Sequence, residues 1–355
     1  MFPAIIFISM LFLAGVSASP VQMIRLTDTD YPEYLFRDDT DTESMLRALT
    51  VSLQHIQPVS LDKITLYDRQ YTTMELQKSL LLFQEILLHE KPEQQADLIK
   101  NRFNVFKLGN DSVFTAYYDY PLPGSSVKTR FFNAPVYAIP GDLVTSQTLA
   151  RGKYKKNILV SYDTAENIVL HNSLKNRAEV LFFANLGDLL LAQIEGGAAV
   201  TLQSGEKFHI TYASDNGHPF KKVSELLVGK CELSAPAIRS YLVNHPRTTR
   251  NLLKNLPRYV FFKKTKASLG NRDTPLVAQR SIAMDQSIIP FGTIVFFKTS
   301  GREKLQRFGF VHDSGAAIKG SAIDLYRGEN LESGQKFREN GELFIIVAKP
   351  EFLVE

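Results

Sequence analysis

The sequence of 355 residues predicts an α+β or mainly β protein. Residues 41–104 show helical spacing, whereas short segments rich in Phe, Tyr, Val and Ile, broken by Gly, Pro, Asn and Asp, follow Phe106. A few helices then precede a second run of strands, which begins at Thr274. Because helices and strands are segregated along the chain, the pattern argues against alternating βαβ units, and the length favours two domains over one.

Two helices are predicted in residues 41–104 from apolar residues at three- and four-residue steps. These positions are Leu46, Leu49, Leu53 and Ile56 for the first helix, and Leu76, Leu80, Phe83 and Leu87 for the second. Thr72 followed by Glu75 predicts a capping box at the start of the second helix, and Pro92 ends it. We expect both helices to be scaffold.

The strand predictions rest on β-forming residues that are bounded by turn residues. In the middle of the chain they are SVFTAYYDY, NILVSYD, LLLAQIEGGAAVTL and KFHITYA, and from Thr274 onwards they are TPLVAQRSIAMD, GTIVFFK, RFGFVHD, SAIDLY and ELFIIVAK. Between these groups, helices are predicted at 220–228 and 235–244. A third helix is predicted to start at Pro246, because proline is favoured in the first helical turn.

The N-terminus has features of an export signal. An apolar run at 4–14 is too short for a comfortable membrane span, and Val16, Ser17 and Ala18 resemble a cleavage site, so residues 1–18 are predicted to be a signal peptide. No Lys or Arg precedes the run, which leaves an uncleaved anchor or a buried N-terminal helix as alternatives. No cysteine directly follows the run to accept a lipid. We therefore expect a periplasmic protein without a lipid anchor.

Charge and residue content argue against several classes of function. The net charge of +4 is scattered, with no window dominated by Lys and Arg, so we expect no nucleic-acid partner. The single cysteine, Cys231, excludes an intrachain disulfide and a multi-cysteine metal site. The chain has no His-x-x-x-His pair, no Gly-x-Ser-x-Gly elbow and no phosphate loop. We expect neither a metal nor a cofactor.

Three aspartates in the C-terminal part remain as candidates for chemistry. Asp285 lies where a strand-like run ends, and Asp313 ends the segment RFGFVHD. Asp324 lies between the apolar residues Ile323 and Leu325, where an unpaired buried carboxylate is costly. A carboxyl that is shielded by apolar neighbours or by another carboxylate has the raised pKa of a general acid. The alternative is that these are turn and strand-end aspartates bonded to backbone amides.

The segments FVHDSGAAIKGSAIDLYRG and RSIAMDQSIIPFGT together resemble the three-aspartate (3D) domain. Upstream, VFTAYYDYPLPGS, YASDNGHPFKKVSELLV and NHPRTTRNLLKNLPRYVFFK resemble blocks of the membrane-bound lytic transglycosylase A family, in matching order and spacing. The resemblance covers about residue 100 to the end. It implies a double-psi β-barrel built from N- and C-terminal parts, interrupted by a smaller β domain, with a groove between them. The implied domains are 19–119, 120–264 and 265–355.

The same resemblance implies a peptidoglycan lytic transglycosylase, which cleaves the bond between N-acetylmuramic acid and N-acetylglucosamine and leaves a 1,6-anhydro end. It places the single general acid/base on Asp324, with Asp313 as a supporting residue and Asp285 as a more structural neighbour. The implied partners are peptidoglycan glycan strands, with cell-wall synthesis or division complexes as further candidates. The implied glycan contacts also include Thr115, Tyr117, Tyr118, Asn216, Gly217 and His218.

The chain departs from the family pattern at three places. Ala116 replaces a glycine, the segment EGGA at 195–198 replaces Gln-Gly-Ser-Gly, and Ser214 with Asp215 stands where Gly-Lys is common. The two extra acidic groups either disfavour a negatively charged stem peptide or pair with basic residues. The departures favour, as an alternative, a glycan-binding protein without useful catalysis.

A further alternative is a hydrolase in which Asp313 activates water. This reaction requires the two carboxyls to be roughly 6.5–9.5 Å apart.

Overall fold

The computed structural model describes residues 22–27, 29–56, 63–67, 69–109, 112–146, 151–221, 223–315, 318–329 and 337–353. The predicted signal peptide at 1–18 lies outside these residues. The described residues fall into two units, which we call the barrel unit and the insert unit. The barrel unit contains 22–117, 270–328 and 337–353, and the insert unit contains 118–269 with Glu329.

The described residues form eight α-helices and eighteen strands. The N-terminal part contains β1 (Met23–Arg25), α1 (Thr42–His55), β2 (Lys63–Leu66), β3 (Arg69–Thr72), α2 (Thr73–His89), α3 (Pro92–Arg102), β4 (Phe103–Leu108) and β5 (Ser112–Asp119). The middle part contains β6 (Pro121–Ser125), β7 (Ala134–Tyr137), β8 (Gly152–Lys155), β9 (Ile158–Ser161), α4 (Ala165–Val169), β10 (Glu179–Phe183), α5 (Leu186–Glu195), β11 (Gly197–Leu202), β12 (Lys207–Asp215), α6 (Val223–Leu227), α7 (Ala235–Asn244), α8 (Pro246–Asn255) and β13 (Val260–Thr265). The C-terminal part contains β14 (Ser281–Ala283), β15 (Ile294–Thr299), β16 (Gln306–Asp313), β17 (Ala322–Glu329) and β18 (Arg338–Ala348).

Six strands close into a barrel in the order β18, β15, β16, β14, β17 and β5, because β5 pairs with both β17 and β18. The closing pair sets Thr115 of β5 opposite Arg338 of β18. Strand β5 comes from the N-terminal part of the chain and the other five strands come from the C-terminal part. The α+β prediction, with a barrel built from both ends of the chain, is confirmed. The double-psi arrangement of the barrel strands stays a prediction.

Helices α1 and α2 pack against barrel strands β16 and β18, respectively. Phe83 of α2 is fully buried, and its ring meets those of Phe308 and Phe310 of β16 at centroid distances of 5.1 and 6.5 Å. The predicted capping box is present, since the Thr72 side chain accepts from the Glu75 backbone and Glu75 accepts from the Thr72 backbone. The two predicted helices are therefore confirmed, and their apolar stripes form part of the barrel-unit core.

A buried arginine joins the N-terminal segment to the barrel. Arg280, which precedes β14, is fully buried and binds both carboxylate oxygens of Asp38 at 2.6 and 2.9 Å. It also donates to the Phe308 carbonyl of β16 and to the Ser44 hydroxyl of α1. Such a bidentate pair fixes geometry as well as charge, so the start of β14 is held against both α1 and β16.

The insert unit contains a six-stranded sheet in the order β13, β12, β11, β6, β10 and β7. Helices α5, α7 and α8 pack together, and α5 contacts the sheet through β7, β10 and β11. The helices predicted at 235–244 and from Pro246 are confirmed, while the one predicted at 220–228 is shorter, spanning Val223–Leu227. The hairpin of β2 and β3 and the helices α3 and α4 were not predicted as separate elements.

The prediction of one strand for LLLAQIEGGAAVTL is wrong, since its first half belongs to helix α5. Asn185 caps this helix by accepting from the Asp188 backbone, and Gly196 ends it at a φ of +73°. An apolar run that is buried on all sides lacks the periodicity that separates helix from strand. TPLVAQRSIAMD is a strand only over Ser281–Ala283. Within the described parts of the chain, no helix has both the length and the apolar character needed to cross a membrane.

Candidate functional site

Asp313 and Asp324 are brought together by strand β14. In the parallel pair with β16, Ala283 lies opposite Asp313, and in the antiparallel pair with β17, it lies opposite Asp324. Because neighbouring strands are about 4.8 Å apart, the backbones of the two aspartates are roughly 10 Å apart. Their carboxyls are close enough for the charge of Asp324 to act on Asp313. The barrel therefore places the two predicted catalytic carboxyls on either side of one residue.

Asp324 is buried and has one side-chain hydrogen bond in the structure, which Thr115 donates to Oδ1 at 2.8 Å. Burial raises the pKa of Asp324 to about 7, although the Thr115 hydrogen bond opposes this shift. Its neighbours Ile323 and Leu325 are also fully buried in the barrel-unit core. A carboxyl in this environment holds a proton near neutral pH, as a general acid requires.

Asp313 is also buried, but several donors surround its carboxylate. The Ser314 backbone N–H donates to Oδ1 at 2.8 Å, and the Tyr117 hydroxyl donates to Oδ2 at 3.0 Å. A third hydrogen bond comes from the Asn271 backbone. Burial is the largest influence on the pKa of Asp313 and, with the charge of Asp324, raises it to about 7 against these hydrogen bonds.

The different donors separate the roles of the two carboxyls. Each donor to Asp313 stabilises its ionised form, whereas within the described residues Asp324 receives one such hydrogen bond, from Thr115. Two negative charges in one buried site repel each other, so the pair favours one charge and one proton. The hydrogen bonds favour the charge on Asp313 and the proton on Asp324.

Asp285 organises a turn near the site. Its carboxylate accepts from the Ser287 backbone and hydroxyl and from the Gly320 backbone N–H. Burial tends to raise its pKa, but these hydrogen bonds and the charge of Lys319 lower the pKa of Asp285 below its ordinary value. The structure thus places Asp285 between its own turn and the segment that leads into β17, a position that suits a structural neighbour.

Strand β5 supplies Thr115 and Tyr117 on one face. Side chains two residues apart on a strand lie on the same face, so both reach the aspartates, whereas the half-buried Tyr118 belongs to the opposite face. The Tyr117 ring packs on Tyr326 of β17 with centroids 5.2 Å apart, and its hydroxyl is buried against Asp313. Tyr117 therefore contacts a candidate catalytic carboxyl directly.

The residues Asn216, Gly217 and His218 form a loop of the insert unit that is held by its own hydrogen bonds. The buried Asn216 amide donates to the Asp163 and Pro257 carbonyls and accepts from the Tyr259 backbone N–H. Gly217 has a φ of +77°, which favours glycine. His218 Nε2 lies 2.8 Å from the carbonyl of Tyr162. These contacts give Asn216 and His218 structural roles, and their predicted contacts with glycan stay predictions.

The structure shows where the residues that depart from the family pattern lie and what they contact. Asp215 is buried and forms ion pairs with Arg151 at 2.9 Å and Arg258 at 2.8 Å. It is therefore paired with basic residues, one of the two alternatives raised by the sequence. Glu195 is the last residue of α5, and Ala116 packs against the barrel-unit core.

Sequence reasoning missed several neighbours of Asp313. Asn271 donates through its amide to Gln286 at 2.8 Å, and Gln286 donates to the Asp313 carbonyl at 3.3 Å. Gly270 allows this segment to approach, since a Cβ there would lie 2.6 Å from the His312 carbonyl oxygen. These polar residues lie in loops without a spacing pattern, so no sequence signal pointed to them. In the described ranges, His, Cys, Asp and Glu side chains form no group of three or more suited to a metal ion.

Comparisons with known proteins agree with this architecture. The family model described as the MltA specific insert domain matches residues 113–263, and the 3D domain model matches residues 280–347. Among curated relatives, the membrane-bound lytic murein transglycosylase A of Escherichia coli strain K12 is 26% identical over 261 residues, covering 67% of this chain and 66% of the relative. A homolog from Buchnera aphidicola is 24% identical over 284 residues, covering 73% of each chain.

Solved structures share the fold. A membrane-bound lytic murein transglycosylase from Agrobacterium tumefaciens matches with a TM-score of 0.73 at 22% identity, covering 92% of this chain and 97% of that one. MltA from Neisseria gonorrhoeae matches with a TM-score of 0.75 at 19% identity, covering 94% of this chain and 96% of that one. MltA from Escherichia coli with bound chitohexaose matches with a TM-score of 0.69 at 18% identity, covering 95% of this chain and 96% of that one.

Proposed function

The chain belongs to the membrane-bound lytic murein transglycosylase A family and carries a 3D domain, and from this premise we propose that it is a lytic transglycosylase acting on peptidoglycan. The observation that carries the proposal is the state of Asp324, a buried carboxyl with a pKa of about 7 beside the equally buried Asp313, whose carboxylate accepts hydrogen bonds from Ser314 and Tyr117. The relative solved with chitohexaose supports a glycan as the ligand.

In the proposed reaction, one carboxyl transfers a proton twice. Protonated Asp324 donates to the glycosidic oxygen as the bond from that oxygen to C1 of N-acetylmuramic acid breaks, and the N-acetylglucosamine side leaves with a new hydroxyl. The Asp324 carboxylate then accepts the proton of the C6 hydroxyl while O6 attacks C1. The products are a 1,6-anhydro end and a reprotonated Asp324, so no water is consumed.

Asp313 supports this cycle through its charge. Ionised Asp313 favours protonation of Asp324 before bond cleavage, and it stabilises positive charge that develops on the sugar ring. A hydrolase would need Asp313 as a base for water, but its carboxylate already accepts hydrogen bonds from Ser314 and Tyr117. These contacts favour the single-acid reaction over hydrolysis.

The domain division and the localisation are proposed with the function. We infer that the insert of residues 120–264 interrupts a barrel domain formed by 19–119 and 265–355, and that Thr115, Tyr117, Tyr118 and the loop 216–218 contact the glycan. Export by the N-terminal segment to the periplasm, and association with cell-wall synthesis or division complexes, stay predictions.

The test is mass spectrometry of the soluble products released from peptidoglycan sacculi. The wild-type chain should release anhydro-muropeptides, and Asp324→Asn should release at least about 10²-fold less, because the amide cannot donate and accept the proton. Asp97→Asn, at a mostly exposed position on α3, is the control for loss of an aspartate and should match the wild type. Products with a reducing end, heavier by one water, would indicate a hydrolase. Binding to sacculi without release would indicate a glycan-binding protein.

A further inference from the structure

A buried histidine next to Asp313 joins three elements of the barrel unit. His312 of β16 is fully buried, and its two ring nitrogens lie near two serine hydroxyls. Nε2 is 2.8 Å from Ser52 Oγ on α1, and Nδ1 is 2.7 Å from Ser281 Oγ at the start of β14. We call these residues the Ser52–His312–Ser281 chain. The proposed reaction assigns no role to any of the three.

The surroundings of the ring define its protonation. Burial, together with the charge of His55, lowers the pKa of His312 to about 3, so the ring is neutral at neutral pH. A further hydrogen bond joins the ring to the Ala48 backbone, one helical turn before Ser52. A neutral imidazole has one donor and one acceptor nitrogen, so the ring can donate to one of the two serine hydroxyls and accept from the other. The Ser281 hydroxyl oxygen also accepts from the Val277 backbone N–H at 2.8 Å.

The register of β14 against β16 is irregular at His312. Ile282 lies opposite Val311, but the next residue, Ala283, lies opposite Asp313, so His312 is skipped. Without this skip, His312 would lie opposite Ala283. Asp313 would then be displaced along β16 by one residue, about 3.3 Å, relative to its present position opposite Ala283.

We propose that the Ser52–His312–Ser281 chain holds β14 and β16 in the register that places Asp313 beside Asp324, so that His312 is a positioning residue for the reaction. The inference rests on the proposed function, in which the two aspartates act as a pair. The His312 side chain is hydrogen-bonded through Nδ1 to Ser281 of β14 and through Nε2 to Ser52 of helix α1. Loss of either hydroxyl releases one of these two attachments.

The experiment compares Ser52→Ala and Ser281→Ala with Ser79→Ala. Ser79 is a matched control, because it is also a buried serine that joins a helix to a barrel strand, accepting from the Ala348 backbone N–H at 3.0 Å. Steady-state kcat and KM on soluble uncrosslinked glycan strands would be measured across pH. Thermal unfolding would report stability, and carbon-13 NMR would follow the titration of the aspartate carboxyls without any need for activity.

We expect Ser52→Ala and Ser281→Ala to lower kcat by about 10-fold with little change in KM, since small displacements of catalytic groups have effects of this size. Both should also shift the titration of Asp313 and Asp324, whereas Ser79→Ala should lose stability yet keep the wild-type kcat and titration. Wild-type kcat and titration in Ser52→Ala and Ser281→Ala would overturn the proposal, as would equal effects in Ser79→Ala. If the wild type releases no product, the proposed function fails, and the NMR titration alone decides the positioning role.

Discussion

The Thr115 hydroxyl donates to Oδ1 of Asp324 at 2.8 Å and also lies 3.2 Å from the Ile323 carbonyl oxygen. A hydroxyl has one proton and cannot donate fully to both. When Asp324 is ionised, the proton serves the carboxylate. When Asp324 is protonated, the hydroxyl can donate to Ile323 and accept from the acid. Thr115 therefore suits both protonation states that the proposed reaction needs.

Thr115→Val should move the alkaline limb of the activity profile to higher pH. The hydrogen bond from Thr115 lowers the pKa of Asp324, so its removal makes the acid hold its proton more strongly, by about one pH unit. Thr115→Ser keeps the hydroxyl and is the matched control. The measurement is kcat against pH for both variants, and coincident profiles would show that the hydroxyl does not act on Asp324.

Tyr117→Phe should reduce activity by about 10-fold and raise the pKa of Asp313. The lost hydroxyl is one of the donors that favour ionised Asp313, so the proton of the pair would move away from Asp324. Carboxyl titration by NMR and kcat would both be measured. Tyr71→Phe removes a buried hydroxyl from β3 in the same unit and is the control. An unchanged Asp313 titration in Tyr117→Phe would contradict the assignment.

The free energy of unfolding of the wild type, measured relative to that of Asp324→Asn, should decrease as pH rises from about 4 to 7. The folded pKa of Asp324, about 7, lies above its ordinary value of 3.8, so the folded state binds a proton that the unfolded state has released. The stabilisation is complete below pH 4 and is lost as pH rises to 7, by at most on the order of 4 kcal/mol. Denaturant unfolding of both proteins across this range is the measurement. A constant difference would show that Asp324 titrates normally in the fold.

Asp215→Asn should destabilise the insert unit by about 2–3 kcal/mol, because Arg151 and Arg258 would lose their common charged partner. Burial raises the pKa of Asp215, but the charge of Arg258 and the other contacts outweigh it and lower that pKa. The stabilisation is therefore present above the ordinary pKa and disappears as pH falls through the lowered one. Glu206→Gln, in an exposed pair with Lys264, is the control and should change stability little. Equal unfolding midpoints for both variants would refute the prediction.

Much of the fold followed from local patterns. Apolar spacing and a capping box predicted α1 and α2, and proline at 246 predicted the start of α8. The segment LLLAQIE was assigned wrongly, because a helix buried all round shows no polar face. The short β2–β3 hairpin was missed because it has few residues and no strong turn signal.

The candidate site was predictable only in part. Asp313 and Asp324 stood out because carboxylates within apolar strands need a physical reason. Three features of the site depend on barrel closure: the pairing of the two aspartates across Ala283, the donors Thr115 and Tyr117 from a strand about 200 residues away, and the loop at Asn271. No local pattern specifies such long-range contacts.

Local patterns in the sequence were enough to predict the fold class and the carboxyls available for chemistry, because apolar periodicity and turn residues act over short stretches of chain. The family followed from the resemblance of particular segments, in matching order and spacing, to its known blocks. Only the folded structure shows that Asp313 receives more donors than Asp324, that these donors favour the proton on Asp324, and that His312 is skipped between β14 and β16. These properties depend on burial and hydrogen-bond geometry, which exist only after distant strands have met.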